Sequence, residues 1–551
     1  MSMALSRARA GGWRPGWRPA AVLLLLCPLL SLPDSVFGQL QEVALQSVER
    51  ATVRITAGNS QSSGVLISPI GHVLTADHGL PVNAAAVRVQ FADGRQLSAE
   101  VLVRDTEADA AVLKLIERPS EQERQGSEAA FSADWLPLAR RAAAVEVGEM
   151  LLAAGFPARE SADAAVVFRL GRVQAADGMM VQTSCLLTVG DSGGPLVNRL
   201  GEVVGIHRQI GAGRETNVHV SVARLQLLVE AAALKLQRDV GDRPSLWSAE
   251  LKGALPEESL REAALSTVEI LAAADAPEML MLGARISPQS VVAKLSLLRP
   301  GEAVFGRFAD GGIRALRVVS RDVAADLVLL EPAVVGSLPP LGKLSVAEPR
   351  RGDVVFAVAG FAGDGRSCKV SGPGIISRVG HTEPRVAARL GLVLENVSDG
   401  SGLRVREAAA NGPGAIAGLR MGDVLHGLQG KPTADLSEFA AALEPFQPGD
   451  WLELELGRAG QEIRVMVQAG HDPAKEFDRR EFLDGRLGAV SSRRTGFVGL
   501  IQHDAAVEPW QCGGLLLSSE GRILGWNVVR RSREATFGWP WMSASAEGRS
   551  R

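Results

Sequence analysis

The 551-residue chain has no tyrosine, only four cysteines and eight histidines, and a formal net charge of −3. Near-balanced charge gives no case for nucleic acid or an anionic membrane surface as a partner. The shortage of cysteine excludes a dense disulfide framework. No Cys/His spacing matches a metal site, so no metal or other cofactor is expected. Cys27 lies in an N-terminal apolar run, which leaves Cys185, Cys368 and Cys512 as an odd set; a Cys368–Cys512 bridge is compatible with that count but not required by it. The lack of tyrosine has no functional explanation in the sequence. The apolar run, Ala20 to Leu32, is shorter than the roughly 20 residues a membrane-spanning helix needs. It follows Arg7, Arg9, Arg14 and Arg18 and precedes Ser35-Val36-Phe37-Gly38, a secretory signal pattern over residues 1–38. The expected location is therefore exported, periplasmic or extracellular, with an uncleaved anchor as the alternative.

The residues that are present concentrate chemistry at Gly190-Asp191-Ser192-Gly193-Gly194-Pro195. Flanking glycines remove Cβ atoms that would obstruct a peptide carbonyl and permit unusual backbone angles. The turn can also aim the N–H groups of Gly190 and Ser192 at a developing oxyanion. A serine hydroxyl needs a base to take its proton. Among few histidines, His78 ends a strand–turn–strand pattern, Ser62 to Leu74 followed by Thr75-Ala76-Asp77-His78. Asp109, just before the apolar stretch Ala110 to Leu113, is the expected carboxylate partner of the imidazole, and Asp105 is read as a turn former. The order is His78, Asp109, Ser192.

These segments resemble the HtrA/Deg type of trypsin-like serine proteases over most of residues 45–235: Ser63 to Ser68 with Leu74 to His78, Asp105 to Lys114, and Gly190 to Asn198 followed by Gly201 to Ile206. The resemblance implies a mainly β fold of two six-stranded barrels, with the active site in the cleft between them. It also implies catalytic roles for His78, Asp109 and Ser192. Asp191 stands where that type usually has Asn. In digestive trypsin-like enzymes an Asp there pairs with a new N-terminus, but no matching activation sequence is seen here, so Asp191 is expected to have another partner. Leu186 and Leu187 are expected in one wall of the specificity pocket and Ile206 and His207, in the run to Arg208, in the other. With no acidic residue at the base, an aliphatic side chain before the scissile bond is expected.

The chain also repeats itself. Gly283 to Pro288 echoes Gly64 to Pro69, Phe308-Ala309-Asp310-Gly311 echoes Phe91-Ala92-Asp93-Gly94, and Arg321-Asp322 with Asp326 to Leu330 echoes Arg104-Asp105 with Asp109 to Leu113. Downstream, Gln511-Cys512-Gly513-Gly514 matches Asp191-Ser192-Gly193-Gly194. This reads as a second, split, degenerate trypsin-like unit. It has Leu297 or a neighbour in Leu295 to Leu298 at the imidazole position, so Cys512 is not expected to act as a nucleophile. Between its halves, Leu390 to Ala469 resembles a PDZ domain, most specifically at Ala417-Gly418-Leu419 through Asp423. That implies capture of C-terminal peptides by strand addition, with Leu390, Gly391 and Leu392 as the carboxylate loop; the alternative is a packing role.

The expected organisation is a signal peptide over 1–38, a trypsin-like domain over 39–238 and a linker over 239–260. The degenerate domain then runs over 261–384 and 471–545, with the PDZ domain inserted at 385–470. The expected function is that of an exported serine endopeptidase acting on unfolded or damaged proteins. A homo-oligomer is implied by the resemblance. The rival reading is an inactive peptide-binding holdase or adaptor.

Overall fold

The computed structural model describes residues 40–541 apart from 83–85, 117–130, 132–133, 141–144, 159–164, 212, 214–215, 237–242, 248–253, 277, 335, 337, 472–488 and 533–534. The expected signal segment, most of the charged stretch 471–490 and much of the expected linker lie outside the described residues.

The fold is mainly β, with four closed six-stranded barrels and one open sheet. The first barrel is made by Thr52–Ala57, Ser60–Leu66, His72–Thr75, Ala86–Phe91, Gln96–Asp105 and Ala110–Leu115. Apolar residues at alternate positions, Val53, Ile55, Val87, Val89 and Phe91 among them, turn inward and fill it. The second barrel comprises Met150–Gly155, Val167–Ala176, Met180–Thr183, Pro195–Val197, Val203–Gln209 and Asn217–Ser221. A helix, Val222–Ala231, follows and is capped by the Ser221 side chain. It stops at Ala231 because Ala233, two residues on, takes a left-handed φ of 52°, which breaks the helical hydrogen-bond run.

The third barrel spans Thr267 to Pro332, and the fourth joins Val354–Phe361 and Cys368–Glu383 to four strands between Phe497 and Pro540. The duplication extends to details. Helices Glu42–Ala51 and Glu257–Leu265 precede the first and third barrels. Thr52 Oγ1 donates to Val48 O at 2.7 Å, and Thr267 Oγ1 to Ala263 O at 2.8 Å. Matching hairpins turn at Gly94 and Gly311.

The two copies share a core. One apolar cluster runs through the second and fourth barrels and includes Phe168, Ile206, Phe356, Ile375, Trp526 and Trp539. The open sheet has the order Leu392–Asn396, Leu403–Ala408, Val424–Leu428, Trp451–Arg458, Gln461–Gln468. Helix Leu436–Leu443 packs on it, started by the Asp435 carboxylate, which accepts the Glu438 N–H at 2.9 Å. The sheet and helix agree with the PDZ-like unit expected from the sequence. Its docking to the degenerate unit is polar: Trp451 Nε1 and Gln468 Nε2 both donate to Ser296 O at 3.1 Å, and Arg493 pairs with Asp450 at 2.7 Å. Cys185, Cys368 and Cys512 are all free and buried, so no Cys368–Cys512 bridge exists.

Candidate active site

Three side chains meet where the first and second barrels face each other. His78 lies on a 3₁₀ turn, Asp77–Gly79, just past the strand His72–Thr75. Asp109 sits immediately before the strand Ala110–Leu115 with a left-handed φ of 61°, a conformation that aspartate tolerates at some strain. That angle turns its carboxylate back onto the His78 turn. Oδ1 accepts the His78 N–H at 2.9 Å, and Oδ2 lies 2.7 Å from His78 Nδ1. The other ring nitrogen, Nε2, is 3.0 Å from Ser192 Oγ. With Nδ1–H donated to the carboxylate, Nε2 carries a lone pair and accepts from the serine hydroxyl. The imidazole is about half exposed, whereas the Asp109 side chain is largely buried, so an incoming substrate meets the ring and the hydroxyl first. Asp105 accepts the Ala108 N–H and pairs with Arg224, a turn and docking role.

The serine turn is held from behind. Gly190 has φ +97°, and a Cβ there would fall 2.6 Å from Phe156 O. Gly193 has φ +85°, and a Cβ there would fall 2.5 Å from Ala76 N. No other residue fits either place. The carbonyl of Val189 accepts the Ala158 N–H at 2.8 Å, and the carbonyl of Asp191 accepts the Gly194 N–H at 2.8 Å. Since N–H and C=O of a trans peptide point in opposite directions, the N–H groups of Gly190 and Ser192 are turned away from these anchors. Neither donates to another group among the described residues. The arrangement offers a hydroxyl beside a base, with two outward donors next to it.

The expected pocket walls differ from the structure in part. Leu186 and Leu187 are buried just ahead of the turn. Ile206 and His207 are not presented to the cleft. Ile206 belongs to the shared core, and the His207 ring is turned into the interior of the second barrel, where Nε2 meets Ala154 O at 3.1 Å and Nδ1 meets His219 Nδ1 at 2.9 Å. The reason is that Val203–Gln209 is buried on both faces up to His207. Arg208, the next residue, reaches the cleft instead, with Nε 3.9 Å from Asp109 Oδ2. Burial pushes the His219 imidazole down to about 3 and His207 well below the usual histidine range, the latter also through the neighbouring His219 and Arg169 charges.

The degenerate copy keeps the frame without the chemistry. Ser296 occupies the imidazole position, since its N–H donates to Asp326 Oδ1 at 2.7 Å as that of His78 does to Asp109. Its hydroxyl donates to Asp326 Oδ2 at 3.0 Å, and buried Lys294 pairs with the same carboxylate. Asp326 retains the left-handed φ, 56°. Trp510 stands where Gly190 does and lies in a 3₁₀ turn, Pro509–Gln511. A side chain there excludes the φ of +97° on which the first unit's turn depends. Cys512 is buried with its thiol pushed up by desolvation, 3.8 Å from Ser491 Oγ. In the PDZ-like unit, Leu390 is buried and its carbonyl accepts the Gly414 N–H at 2.8 Å. Gly391 has φ +65°, and Leu392 opens the edge strand Leu392–Asn396.

A family profile for the trypsin-like peptidase domain matches residues 62–206. The periplasmic serine endoprotease DegP of Salmonella typhimurium is 25% identical over 425 residues, covering 74% of this chain and 76% of that protein. A probable periplasmic DegP-like serine endoprotease of Halomonas elongata is 28% identical over 381 residues, covering 66% of this chain and 70% of the relative. A solved serine endoprotease from Yersinia pestis aligns over 78% of this chain and 96% of its own at 17% identity, with a TM-score of 0.29. The matched peptidase segment, together with relatives aligned over two-thirds to three-quarters of the chain, makes it a serine endopeptidase similar to the DegP-type periplasmic proteases.

Proposed function

We propose that Ser192 is the nucleophile, His78 the general base and then acid, and Asp109 the group that orients and stabilises the imidazole. Ser192 Oγ attacks the peptide carbonyl carbon while its proton passes to His78 Nε2. The carbonyl oxygen becomes an oxyanion facing the N–H groups of Gly190 and Ser192. The C–N bond then breaks as His78 gives its proton to the leaving amine, and an acyl-enzyme remains on Ser192. Water, deprotonated by His78, releases the acid product and restores the hydroxyl. The single observation that carries the reading is the bridging imidazole, 2.7 Å from Asp109 and 3.0 Å from Ser192.

The relatives' description as periplasmic supports an exported, periplasmic enzyme, and protein substrates follow from endopeptidase chemistry. The edge strand Leu392–Asn396, with Val393 exposed and Gly391 in a left-handed turn ahead of it, supports peptide capture by strand addition at Leu390, Gly391 and Leu392. Digestion of reduced casein by the full chain and by Ser192→Ala tests the catalytic assignment. The expected loss is about 10³-fold or more in kcat. Equal turnover by both would remove Ser192 from the mechanism, and no turnover by either would favour a peptide-binding holdase.

A further inference from the structure

The residue next to the nucleophile is tied to a buried cation. The Asp191 carboxylate faces Arg169, with Oδ2 3.1 Å from Nη1 and the two side chains 1% and 0% exposed. Oδ2 also accepts the Thr188 N–H at 2.8 Å. Room for the carboxylate exists because residue 155 is glycine; a Cβ there would fall 2.5 Å from Oδ1. The guanidinium has no hydrogen-bond partner among the described residues, and Asp191 is the only carboxylate within 4.0 Å of it there. A charge this deeply buried persists only with a counter-charge beside it, so the two side chains hold each other.

Arg169 lies on the strand Val167–Ala176, whose pairing with Met180–Thr183 begins only at Val173. Over the stretch that carries Arg169, the outward N–H groups go to the degenerate unit. Phe168 N–H donates to Ser377 Oγ at 3.1 Å and Leu170 N–H to Asp504 Oδ2 at 2.8 Å. Asp504 uses its other oxygen within its own unit, for the Ile375 N–H at 2.6 Å. The equivalent residue of the first unit is Ser184, whose Oγ accepts the Arg172 N–H at 2.9 Å. A serine there serves one strand. The aspartate in the copy serves two, and the second belongs to the peptidase domain.

We propose that Arg169 is a positioning residue for peptide hydrolysis, holding the Gly190–Ser192 turn through Asp191, and that the degenerate unit supports it by clamping the Arg169 strand through Asp504 and Ser377. The proposal rests on Ser192 being the nucleophile. The inactive copy thereby acts as an intramolecular brace for the active site of the first.

Full-length Arg169→Met, Asp191→Asn, Arg169→Met/Asp191→Asn and Asp504→Asn are compared with wild type by kcat and KM on a fluorogenic peptide, by the rate of Ser192 labelling with a fluorophosphonate, and by thermal melting. Arg169→Met is expected to lose about 100-fold in kcat, with labelling falling in step and KM within about threefold, since the oxyanion donors are displaced rather than the substrate contacts. The double variant is expected to recover at least about tenfold over Arg169→Met, because it no longer strands a buried carboxylate. Asp504→Asn is expected to lose about tenfold in kcat, since its amide cannot accept both N–H groups. A folded Arg169→Met with wild-type kcat, or a double variant no better than the single, overturns the role of Arg169; wild-type kcat in Asp504→Asn overturns the brace. Should Arg169→Met fail to fold, Arg169→Lys decides: wild-type kcat there refutes the role and a selective kcat loss supports it. Unchanged turnover by Ser192→Ala would instead refute the nucleophile assignment and is read separately.

Discussion

Lowering the pH from 7 to 5 should destabilise this protein steeply, and the reason lies in its buried imidazoles. His207 donates Nε2–H to Ala154 O at 3.1 Å, so its Nδ1 is an acceptor for His219 Nδ1–H at 2.9 Å. His219 Nε2 in turn accepts from Thr183 Oγ1 at 2.7 Å. Each ring is neutral in this chain, and a proton added to His207 would set two N–H groups against each other. His503, against Asn527 Oδ1, is pushed down to about 3 by burial, and His72 to about 4 by burial and then Lys114. A histidine whose folded pKa is depressed contributes stability above its unfolded pKa, about 6.5, and loses it as pH falls below that value. Three buried carboxylates act in the opposite sense, one of them Asp450, which burial raises. Asp504 is raised to about 7 and Asp353 to about 6, in both cases chiefly by burial, so each gains stability as pH falls through its folded pKa. At pH 5.5 the unfolded chain binds close to one proton on each of the four histidines, and the folded chain binds nearly two on Asp504 and Asp353. On these groups the difference is about two protons, which gives a slope on the order of 2–3 kcal/mol per pH unit. Urea unfolding of Ser192→Ala, which cannot digest itself, at pH 7.5, 6.5 and 5.5 measures this. The midpoint should fall, and a His207→Asn/His219→Asn variant should show a much shallower fall. A midpoint that is flat or rises toward pH 5.5 would refute the reasoning.

Further outcomes follow from the same geometry. Gly190→Ala should lose about 100-fold or more in kcat, because a Cβ at φ +97° meets Phe156 O at 2.6 Å and the turn must shift its donor; peptide kinetics check this. Lys294→Met should leave Asp326 as a buried carboxylate without its cation and cost about 3–5 kcal/mol by chemical unfolding, while residual folded protein keeps wild-type kcat per labelled Ser192. Cys185, Cys368 and Cys512 should resist iodoacetamide at pH 8 in the folded protein and react after unfolding. Burial pushes the first two thiols up to about 12 and also raises Cys512, so rapid native labelling of Cys512 would contradict its assignment as inert.

Much of the architecture is legible in the chain because barrel strands leave a period-two trace and the copies share turn residues. Gly94 and Gly311 close the same hairpin, and Asp109 and Asp326 take the same left-handed angle. The helix ahead of each copy, Glu42–Ala51 and Glu257–Leu265, goes unread, although Thr52 and Thr267, which bond back onto the two helices, stand at matching places. The imidazole position of the copy, narrowed to Leu295–Leu298 by sequence, is Ser296. Only the shared N–H to carboxylate bond distinguishes it from Leu297, and such a bond has no sequence signature.

The site divides along the same line. His78, Asp109 and Ser192 are readable because each stands at a strand end or turn whose local residues advertise it. His207 misleads because alternation along Val203–Gln209 breaks where the barrel interior and the inter-unit core enclose both faces, and burial then turns its ring inward. Arg169 goes unread, because its meaning comes from Asp191, 22 positions on, and from Asp504, more than 300 positions away. A charge in the middle of an apolar strand, Val166-Val167-Phe168-Arg169-Leu170, is nevertheless a physical anomaly that requires a partner. Asp191 is the matching anomaly, an anion in a turn otherwise built of small residues. Arg169 and Asp191, each costly to bury without a counter-charge, pair beneath the nucleophile, and that need for pairing explains why Asp is compatible with this turn without a new N-terminus to neutralise it.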